Sequence, residues 1–269
     1  MGSTVSIDKT EGYRWTVTFD SPPTNLVTPA LVQYLHEAVE AMAAEPDLKV
    51  VVFDSANDDF WLNHFDLAQV PNFPTDTEGR ALWTTVVLRL AELPFVTIAK
   101  IRGRARGGGD EFLLACDLRY ASRERAIVGQ IEVGTGILPG GGATERLPRL
   151  IGRDRALEAI LTSYDYSADV AERYGWVTKS LPDTELDDYV DALTTRLGAF
   201  DKTALAGAMR QVNRATQLPG DDLHSAYGEF LESMTWPGFR QRLDGLRRAS
   251  QELGPNLELH LGDHLADLA

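Results

Sequence analysis

Two glutamates and a run of glycines are the residues whose types and spacing are best suited to chemistry. Gly107–Gly109 precede a predicted helix, Glu111 follows them within its first turn, and Glu132 comes just before a second glycine-rich segment. Glycines at a helix start expose backbone N–H groups where the helix dipole is positive, a setting that can hold a developing oxyanion. Two carboxylates near such donors can move protons. The segment therefore indicates acid–base chemistry beside an enolate.

Each glutamate also has an ordinary structural explanation. Glu111 falls in the first turn of a predicted helix, where an acid complements the helix dipole. Glu132, taken alone, is a common kind of loop acid. The chemical interpretation of both therefore depends on the residues around them.

Hydrophobic periodicity predicts the elements that position these residues. Apolar patterns predict strands at 14–19, 49–53, 95–101, 118–121 and 176–181, and the continuous apolar segment 49–53 suits a sheet covered on both faces. Helical spacing predicts helices from Thr28–Pro29 onward, at 82–93, from Asp110, at 153–161 and at 168–174, the last capped by Gly175. From about Leu186 the pattern is helical only. We therefore expect an α/β core followed by an all-helical C-terminal part.

The last stretch, 255–269, is acidic, and we expect it to be a loosely held tail. Its His260 and His264 stand four residues apart, a spacing that could bind a metal from a helix. Gly262 weakens such a helix, so a solvated tail is the favoured interpretation. No metal site is predicted.

Charge and composition limit the partners of this chain. A net charge of −14 over 269 residues repels nucleic acid and anionic membranes, so we expect neither, although a local cationic patch could bind an anionic ligand. The single cysteine, Cys116, excludes an internal disulfide. The N-terminus lacks the apolar core of a signal peptide, and no apolar run is long enough to span a bilayer. These features predict a cytoplasmic protein.

Three common motifs are absent from the sequence. Gly134-Thr135-Gly136 begins a dinucleotide fingerprint, but Pro139 stands where the third glycine belongs. The chain has no G-x-x-x-x-G-K-[ST] phosphate loop and no G-x-S-x-G nucleophile elbow.

The segment 101–152 resembles the crotonase superfamily, the enoyl-CoA hydratase/isomerase family. That family combines G-x-x-x-G-G-G-x-E, A-C-D-x-R and G-x-x-P-G-x-G-G-T-x-R-L motifs with two acid–base glutamates. The matching residues are Gly103, Gly107–Gly109, Glu111, Ala115-Cys116-Asp117, Arg119, Gly129, Glu132, Gly136, Pro139, Gly140, Gly142, Thr144, Arg146 and Leu147. Glu111 and Glu132 stand 21 positions apart (132 − 111), as the two glutamates do in the family.

The resemblance implies a fold, an activity and an assembly. The fold would be α/β, with a crotonase-like ββα spiral core over residues 1–190 and an all-helical C-terminal trimerisation subdomain with its acidic tail over 191–269. The activity would be hydration of a 2-enoyl-CoA to a 3-hydroxyacyl-CoA, the CoA thioester being the substrate and no separate cofactor being needed. A homotrimer or a dimer of trimers is implied. Isomerisation, C–C bond hydrolysis, thioester hydrolysis or a non-catalytic CoA-binding role stay open, because one fold serves many reactions.

The resemblance also assigns roles to residues. Glu111 and Glu132 would share water activation and protonation, with Glu132 exchanging the proton at C2. The backbone N–H groups of Phe65 and Gly108 would form an oxyanion hole for the thioester carbonyl. The implied substrate-binding residues are Leu26, Asn63, His64, Asp66, Arg106, Gly107, Pro139 and Gly140.

Three positions depart from the family pattern. His64-Phe65 replaces a small Gly-Ala pair, so His64 is either a new polar group in the site or a half-buried side chain that points away from it. Arg106 replaces an apolar residue and could hold a ligand carboxylate or phosphate, or pair with Asp110. Ile131 replaces proline before Glu132, which predicts a looser position for that glutamate.

Overall fold

The structure is a computed structural model that describes residues 4–216, 218–254 and 256–268. In these residues the strands are, in chain order, β1 (Thr4–Glu11), β2 (Arg14–Asp20), β3 (Val50–Ser55), β4 (Phe60–Leu62), β5 (Val96–Ile101), β6 (Arg104–Arg106), β7 (Leu118–Ser122), β8 (Ile127–Gly129), β9 (Tyr166–Ser167) and β10 (Lys179–Leu181).

The helices of the same residues are α1 (Pro29–Ala43), α2 (Leu82–Leu90), α3 (Gly108–Ala115), α4 (Glu132–Thr135), α5 (Ala143–Ile151), α6 (Arg153–Thr162), α7 (Ala168–Tyr174), α8 (Asp183–Gly198), α9 (Lys202–Asn213), α10 (Gly220–Ser233), α11 (Pro237–Leu253), α12 (Asn256–Leu259) and α13 (Leu261–His264). Short 3₁₀ helices cover Leu67–Asn72 and Leu265–Asp267.

The strands form two sheets between which the chain alternates. The larger has the order β1-β2-β3-β5-β7-β10 and the smaller has the order β4-β6-β8-β9. Only β1–β2 and β8–β9 are antiparallel among the paired strands described. The chain passes from β3 to β4 to α2, from β5 to β6 to α3, and from β7 to β8 to α4. Each repeat is a ββα unit, so the core is a spiral.

The larger sheet is buried on both faces, as its continuous apolar segments predicted. Val50 and Val52 of β3 pack with Leu186 and Val190 of α8 on one face. Val51 and Phe53 belong to the main core on the other face. Successive side chains of a strand point to opposite faces, so one apolar segment serves both layers.

Several predicted element ends are confirmed by local geometry. The Thr28 side chain accepts a hydrogen bond from the Leu31 N–H at the start of α1, with Pro29 in the first helical position. Helix α7 ends at Tyr174, and Gly175 follows in the left-handed conformation with φ 87°. The predicted all-helical C-terminal part is also confirmed, since the described residues after β10 contain helices and no strand. The sequence-based boundary between 190 and 191 falls inside α8.

The prediction of a loosely held C-terminal tail is wrong for its described part, residues 256–268; Pro255 and Ala269 lie outside the described residues. Leu257, Leu261, Leu265 and Leu268 are each at most 4% exposed and pack with Ile131 in one apolar cluster. Their spacing of four, four and three places them on one side of a helical path. The acidic residues between them obscured this pattern in the sequence.

Candidate active site

A cavity of about 520 Å³ lies where the segment after β4, with its 3₁₀ helix, meets α4, α10, α11 and the C-terminal segment. Its walls are mostly apolar, with a few charged groups among them. The lining residues are Leu26, His64, Phe65, Asp66, Leu67, Ala68, Ile131, Glu132, Thr135, Ile137, Phe230, Leu243, Leu246, Arg247, Ser250, Gln251, Leu257, Glu258 and Leu261. An apolar pocket with a few convergent polar groups is typical of small-molecule sites.

Glu132 is the acid–base candidate that faces this cavity. It opens the short helix α4 and is 8% exposed. Its Oε2 is buried and has no hydrogen-bond partner within the described residues. Burial, followed by the negative charge of Glu111, holds the pKa of Glu132 well above its usual range. A carboxyl in this state can hold a proton at neutral pH and deliver it into the cavity.

Glu111 lies behind the cavity wall rather than in it. Its Oε1 accepts hydrogen bonds from the Gly141 N–H at 2.6 Å and the Ala143 N–H at 3.3 Å. Burial raises the pKa of Glu111, and these two N–H groups act in the opposite direction without cancelling it. Glu111 is thus fixed in place, and it does not line the cavity.

The glycine run allows three close approaches. A Cβ atom on Gly109 would lie 1.8 Å from the Leu62 carbonyl oxygen, so α3 packs directly on β4. A Cβ on Gly108 would lie 2.7 Å from the Phe65 ring, and one on Gly107 would lie 2.6 Å from Glu132 Oε1. Gly107 also has φ 51°, which favours glycine. These contacts draw Leu62, Phe65 and Glu132 around the start of α3.

The Phe65 and Gly108 N–H groups are available to a ligand. A parallel bridge holds the chain on either side of Phe65, because the Val27 N–H donates to the His64 carbonyl and the Asp66 N–H donates to the Val27 carbonyl. Gly108 is the first residue of α3, so its N–H has no acceptor within the helix. Neither N–H donates to another group in the part of the chain that the structure describes. Phe65 lines the cavity, whereas Gly108 does not and lies behind the Phe65 ring.

The Phe65 ring forms part of an aromatic wall. It contacts the rings of Phe73, Trp83 and Phe230 at centroid distances of 4.9, 5.2 and 6.1 Å, and it is 7% exposed. The Phe65 ring therefore packs against these three rings beside the cavity. Its size does not prevent the Phe65 N–H from serving as a donor.

His64 lines the cavity and is bound by the C-terminal segment. Its Nε2 lies 3.1 Å from Glu258 Oε2, and its Nδ1 lies 2.9 Å from the Phe65 carbonyl oxygen. The same Glu258 oxygen accepts a hydrogen bond from Asn63 Nδ2 at 3.0 Å. Of the two alternatives for His64, the structure supports the polar group in the site over a side chain that points away.

The His64–Glu258 pair changes the protonation of both partners. Burial acts to lower the pKa of His64, but the charge of Glu258 and the hydrogen bonds to Glu258 and to the Phe65 carbonyl together leave the pKa raised. Burial acts to raise the pKa of Glu258, but the charge of His64 and hydrogen bonds from His64 and Asn63 lower it to about 2. The pair therefore favours the charged form of each group.

Arg106 has neither of the partners expected for it. Its guanidinium is fully buried and binds Asp165 through Nε at 2.7 Å and Nη2 at 2.5 Å, and its Nη1 donates to the Glu258 carbonyl at 2.5 Å. Because the guanidinium is fully buried among these partners, no ligand carboxylate or phosphate can reach it. Asp110 instead accepts hydrogen bonds from Gln130 at 2.5 Å and Trp176 at 2.8 Å.

The other sequence-based binding residues divide into two groups. Leu26 and Asp66 line the cavity, whereas Asn63, Gly107, Pro139 and Gly140 do not. Asn63 is buried behind it against Glu258, and Gly140 packs against Phe230 of α10. The residues that do not line the cavity could affect a ligand only through the cavity residues that they contact.

Ile131 and the C-terminal segment are joined at this site. Ile131 is 4% exposed and packs with the four leucines of that segment. The expected looser position of Glu132 is therefore offset by apolar packing at its neighbour. Leu257, Glu258 and Leu261 were not predicted to line a site, and the leucine spacing was the available signal.

The described residues contain no cluster of three or more His, Cys, Asp or Glu side chains that could hold a metal ion. No helix among them has both the length and the hydropathy needed to cross a bilayer.

Comparison with known proteins identifies the family. A sequence profile of the enoyl-CoA hydratase/isomerase family matches residues 14–235. A short-chain-enoyl-CoA hydratase of Clostridium acetobutylicum is 29% identical over 86% of this chain and 96% of its own length. The chain belongs to the enoyl-CoA hydratase/isomerase family.

Solved structures agree with this assignment. A Streptomyces avermitilis protein, assigned provisionally as an enoyl-CoA hydratase, is 40% identical with a TM-score of 0.93, covering 100% of this chain and 99% of its own. An enoyl-CoA hydratase from Bacillus anthracis is 27% identical with a TM-score of 0.72, covering 92% and 96%. The predicted crotonase-like fold is confirmed.

Proposed function

We propose that this protein hydrates a 2-enoyl-CoA to a 3-hydroxyacyl-CoA. Membership of the family supports an acyl-CoA-metabolising enzyme. The observation that carries the finer proposal is the arrangement of the two buried glutamates. Glu132 lines the cavity and has one buried carboxyl oxygen without a hydrogen-bond partner among the described residues, and Glu111, held by two backbone N–H groups, lies close enough to raise the pKa of Glu132.

The thioester carbonyl would bind between the Phe65 and Gly108 N–H groups. Negative charge develops on this oxygen when the enolate forms, so donors placed there stabilise the transition state more than the substrate. One such donor is worth about 3–4 kcal/mol. The start of α3 adds the positive end of a helix dipole at Gly108.

The proton transfers need one ionised and one protonated carboxyl. Water gives a proton to the ionised group as its oxygen bonds to C3, and the π electrons of the C2–C3 bond move toward the carbonyl to form the enolate. The protonated group then gives its proton to C2, and the enolate electrons form the new C–H bond. Glu132 suits delivery to C2 because it lines the cavity and its pKa is raised well above its usual range. The two backbone N–H groups that bind Glu111 favour its ionised form, so we assign it the activation of a water that reaches it from the cavity.

The CoA thioester is the substrate in this scheme, and neither a metal nor another cofactor takes part. We further propose a homotrimer or a dimer of trimers. Exposed apolar side chains support association, among them Leu161 at 61%, Val212 at 67% and Leu231 at 42% exposure. Light scattering after gel filtration tests this proposal: three or six times the chain mass of 29.6 kDa is expected, and a monomer would contradict it.

The proposed reaction is tested by the loss of enoyl absorbance when purified protein meets a short straight-chain 2-enoyl-CoA. Glu132→Gln keeps the size of the side chain and removes its proton transfer. We expect its turnover to fall by at least about a hundredfold. Glu229→Gln, an exposed position on α10, is the matched control and should keep wild-type turnover.

The product distinguishes the reactions of this family. A 3-hydroxyacyl-CoA that carries solvent oxygen at C3 would support hydration. Conversion of a 3-enoyl-CoA to its 2-enoyl isomer, with no addition of water to either, would overturn hydration in favour of isomerisation. Absence of turnover across short, long and branched 2-enoyl thioesters would also overturn the proposal.

A further inference from the structure

We propose that His64 and Glu258 act as a positioning pair for the oxyanion hole, through which the C-terminal segment fixes the Phe65 N–H toward the thioester carbonyl. This inference rests on the proposed binding of a thioester at Phe65 and Gly108. It does not require that the reaction be hydration.

The partners of the His64 ring identify it as an imidazolium. Nδ1 faces the Phe65 carbonyl oxygen at 2.9 Å, and a carbonyl can only accept. Nε2 faces Glu258 Oε2 at 3.1 Å, and that oxygen also accepts from Asn63. Two ring nitrogens that both donate carry two protons and a positive charge.

These contacts give the ring a positioning role rather than a proton-transfer role. Both of its nitrogens are engaged with the protein, so neither is free to exchange a proton with a substrate. The ring adds a hydrogen bond to the Phe65 carbonyl, next to the bonds that Val27 makes with His64 and Asp66. The peptide groups on both sides of Phe65 are therefore fixed, and with them the direction of its N–H.

Glu258 is held firmly enough to anchor this arrangement. Arg106 Nη1 donates to its carbonyl at 2.5 Å, and Arg104 Nε donates to the next carbonyl, of Leu259, at 2.7 Å. Leu257 and Leu261 on either side are buried. The Glu258 carboxylate is thus a fixed anion in the cavity wall. Breaking its pair with His64 should cost more stability than breaking an exposed ion pair at the surface.

The experiment measures the polarisation of a bound carbonyl, a property that a purely structural role would leave unchanged. The ligand is a saturated short-chain acyl-CoA, which has no double bond to hydrate. Its carbonyl is labelled with ¹³C, and the infrared stretch of that carbonyl moves to lower frequency when hydrogen-bond donors polarise it. Wild type is compared with Glu258→Gln, which keeps size and removes charge, and with His64→Gln. Asp263→Asn, at a 78% exposed side chain of the same segment, is the control.

We expect each variant of the pair to lose half or more of the frequency shift, and the control to keep all of it. The Kd of the saturated thioester should change less than about threefold, whereas kcat with a 2-enoyl-CoA should fall about ten- to a hundredfold with little change in KM. The double variant should lose little more than either single variant, because the two residues act as one unit.

The outcomes separate this inference from the proposed reaction. If wild type polarises the saturated thioester, the variants of the pair lose that shift and no enoyl-CoA is hydrated, the reaction is wrong and the pair stands. If the variants keep the full shift and kcat, the pair is overturned. ¹⁵N NMR of the wild-type His64 ring at pH 7 supplies a second test independent of variant folding. Two protonated nitrogens support the pair, and a neutral ring overturns it.

Discussion

Glu132 Oε1 lies 2.6 Å from the position that a Cβ atom on Gly107 would occupy. The absence of a side chain at Gly107 therefore makes room for the carboxylate that faces the cavity. The same virtual Cβ would lie 3.2 Å from His64 Cβ, so Gly107 lies between Glu132 and His64. The first glycine of the triad thus has a packing role as well as a conformational one.

Gly107→Ala should therefore displace Glu132 and strain the turn before α3. The strained φ of 51° costs on the order of 1 kcal/mol, and the methyl group forces the carboxylate away. A displacement of about 1 Å can lower a rate about a hundredfold, so we expect a loss of that size in kcat with 2-enoyl-CoA. Gly207→Ala in α9, where a Cβ meets nothing within 4 Å, is the control. Normal kcat in Gly107→Ala would contradict the assigned position of Glu132.

The sequence predicted the parts of this site that are close together in the chain. Gly107–Gly109, Glu111 and Glu132 fall within 26 consecutive positions (132 − 107 + 1), so their motif is visible without a structure. Strands β2, β3, β5 and β7 were also predicted, because five or more residues are enough to show an apolar pattern, whereas β1, which is longer than these four, was not predicted. Strands of two or three residues, such as β4 and β9, are too short to show one, and they were missed.

The remaining parts depend on contacts between distant segments. His64 and Glu258 are 194 residues apart in the chain, and Arg106 and Asp165 are 59 apart. No local sequence pattern links such distant positions. The type of a single charged residue does not indicate which of many possible partners it binds. The leucines of the C-terminal segment were a usable signal, since their helical spacing predicts a buried face even between acidic residues.

The His64–Glu258 pair should make stability depend on pH in a defined direction. The pKa of Glu258 falls to about 2 from about 4.3 in the unfolded chain, so its contribution is present above pH 4.3 and is lost toward pH 2. The raised pKa of His64 adds stability below about pH 6.5 that is lost as pH rises through the folded value. The pair therefore contributes most between about pH 4.5 and 6.5.

Chemical denaturation of wild type and Glu258→Gln measures this effect. The difference in unfolding free energy should be about 3 kcal/mol near pH 6 and smaller at pH 9.5, because His64 loses its proton as the pH rises. Asp263→Asn should differ little from wild type at either pH, since its side chain is 78% exposed. A difference that is equal at both pH values would show that Glu258 acts without the charge of His64.

Arg106→Met should release the C-terminal segment. The substitution leaves the carboxylate of Asp165 without its partner and frees the Glu258 carbonyl, at a cost of about 3–5 kcal/mol. Hydrogen exchange should rise in residues 256–268 before it rises in the larger sheet, because the lost contacts join that segment to β6. Arg153→Met is the control, since Arg153 is 78% exposed and pairs only with its neighbour Asp154 among the described residues. Uniform destabilisation without local exchange would contradict the anchoring role.

Phe65→Ala distinguishes the role of the Phe65 backbone N–H from the role of its aromatic ring. The substitution keeps the N–H that we assign to the oxyanion hole and removes a ring that packs against Trp83, Phe230 and Gly108. The unfolding free energy should fall by about 3–5 kcal/mol, whereas kcat below the melting range should stay within about tenfold of wild type. Because the ring lines the cavity, bulkier branched enoyl thioesters should gain in kcat/KM relative to straight ones.

Phe95→Ala is the matched control for Phe65→Ala. Phe95 is 1% exposed and does not line the cavity, so its loss should cost similar stability and leave acyl preference unchanged. Kinetics with paired straight and branched substrates, alongside denaturation, measure both effects. If folded Phe65→Ala lost more than about a hundredfold in kcat at unchanged Kd, the aromatic ring itself would have to hold the reacting group, because a backbone donor survives the substitution.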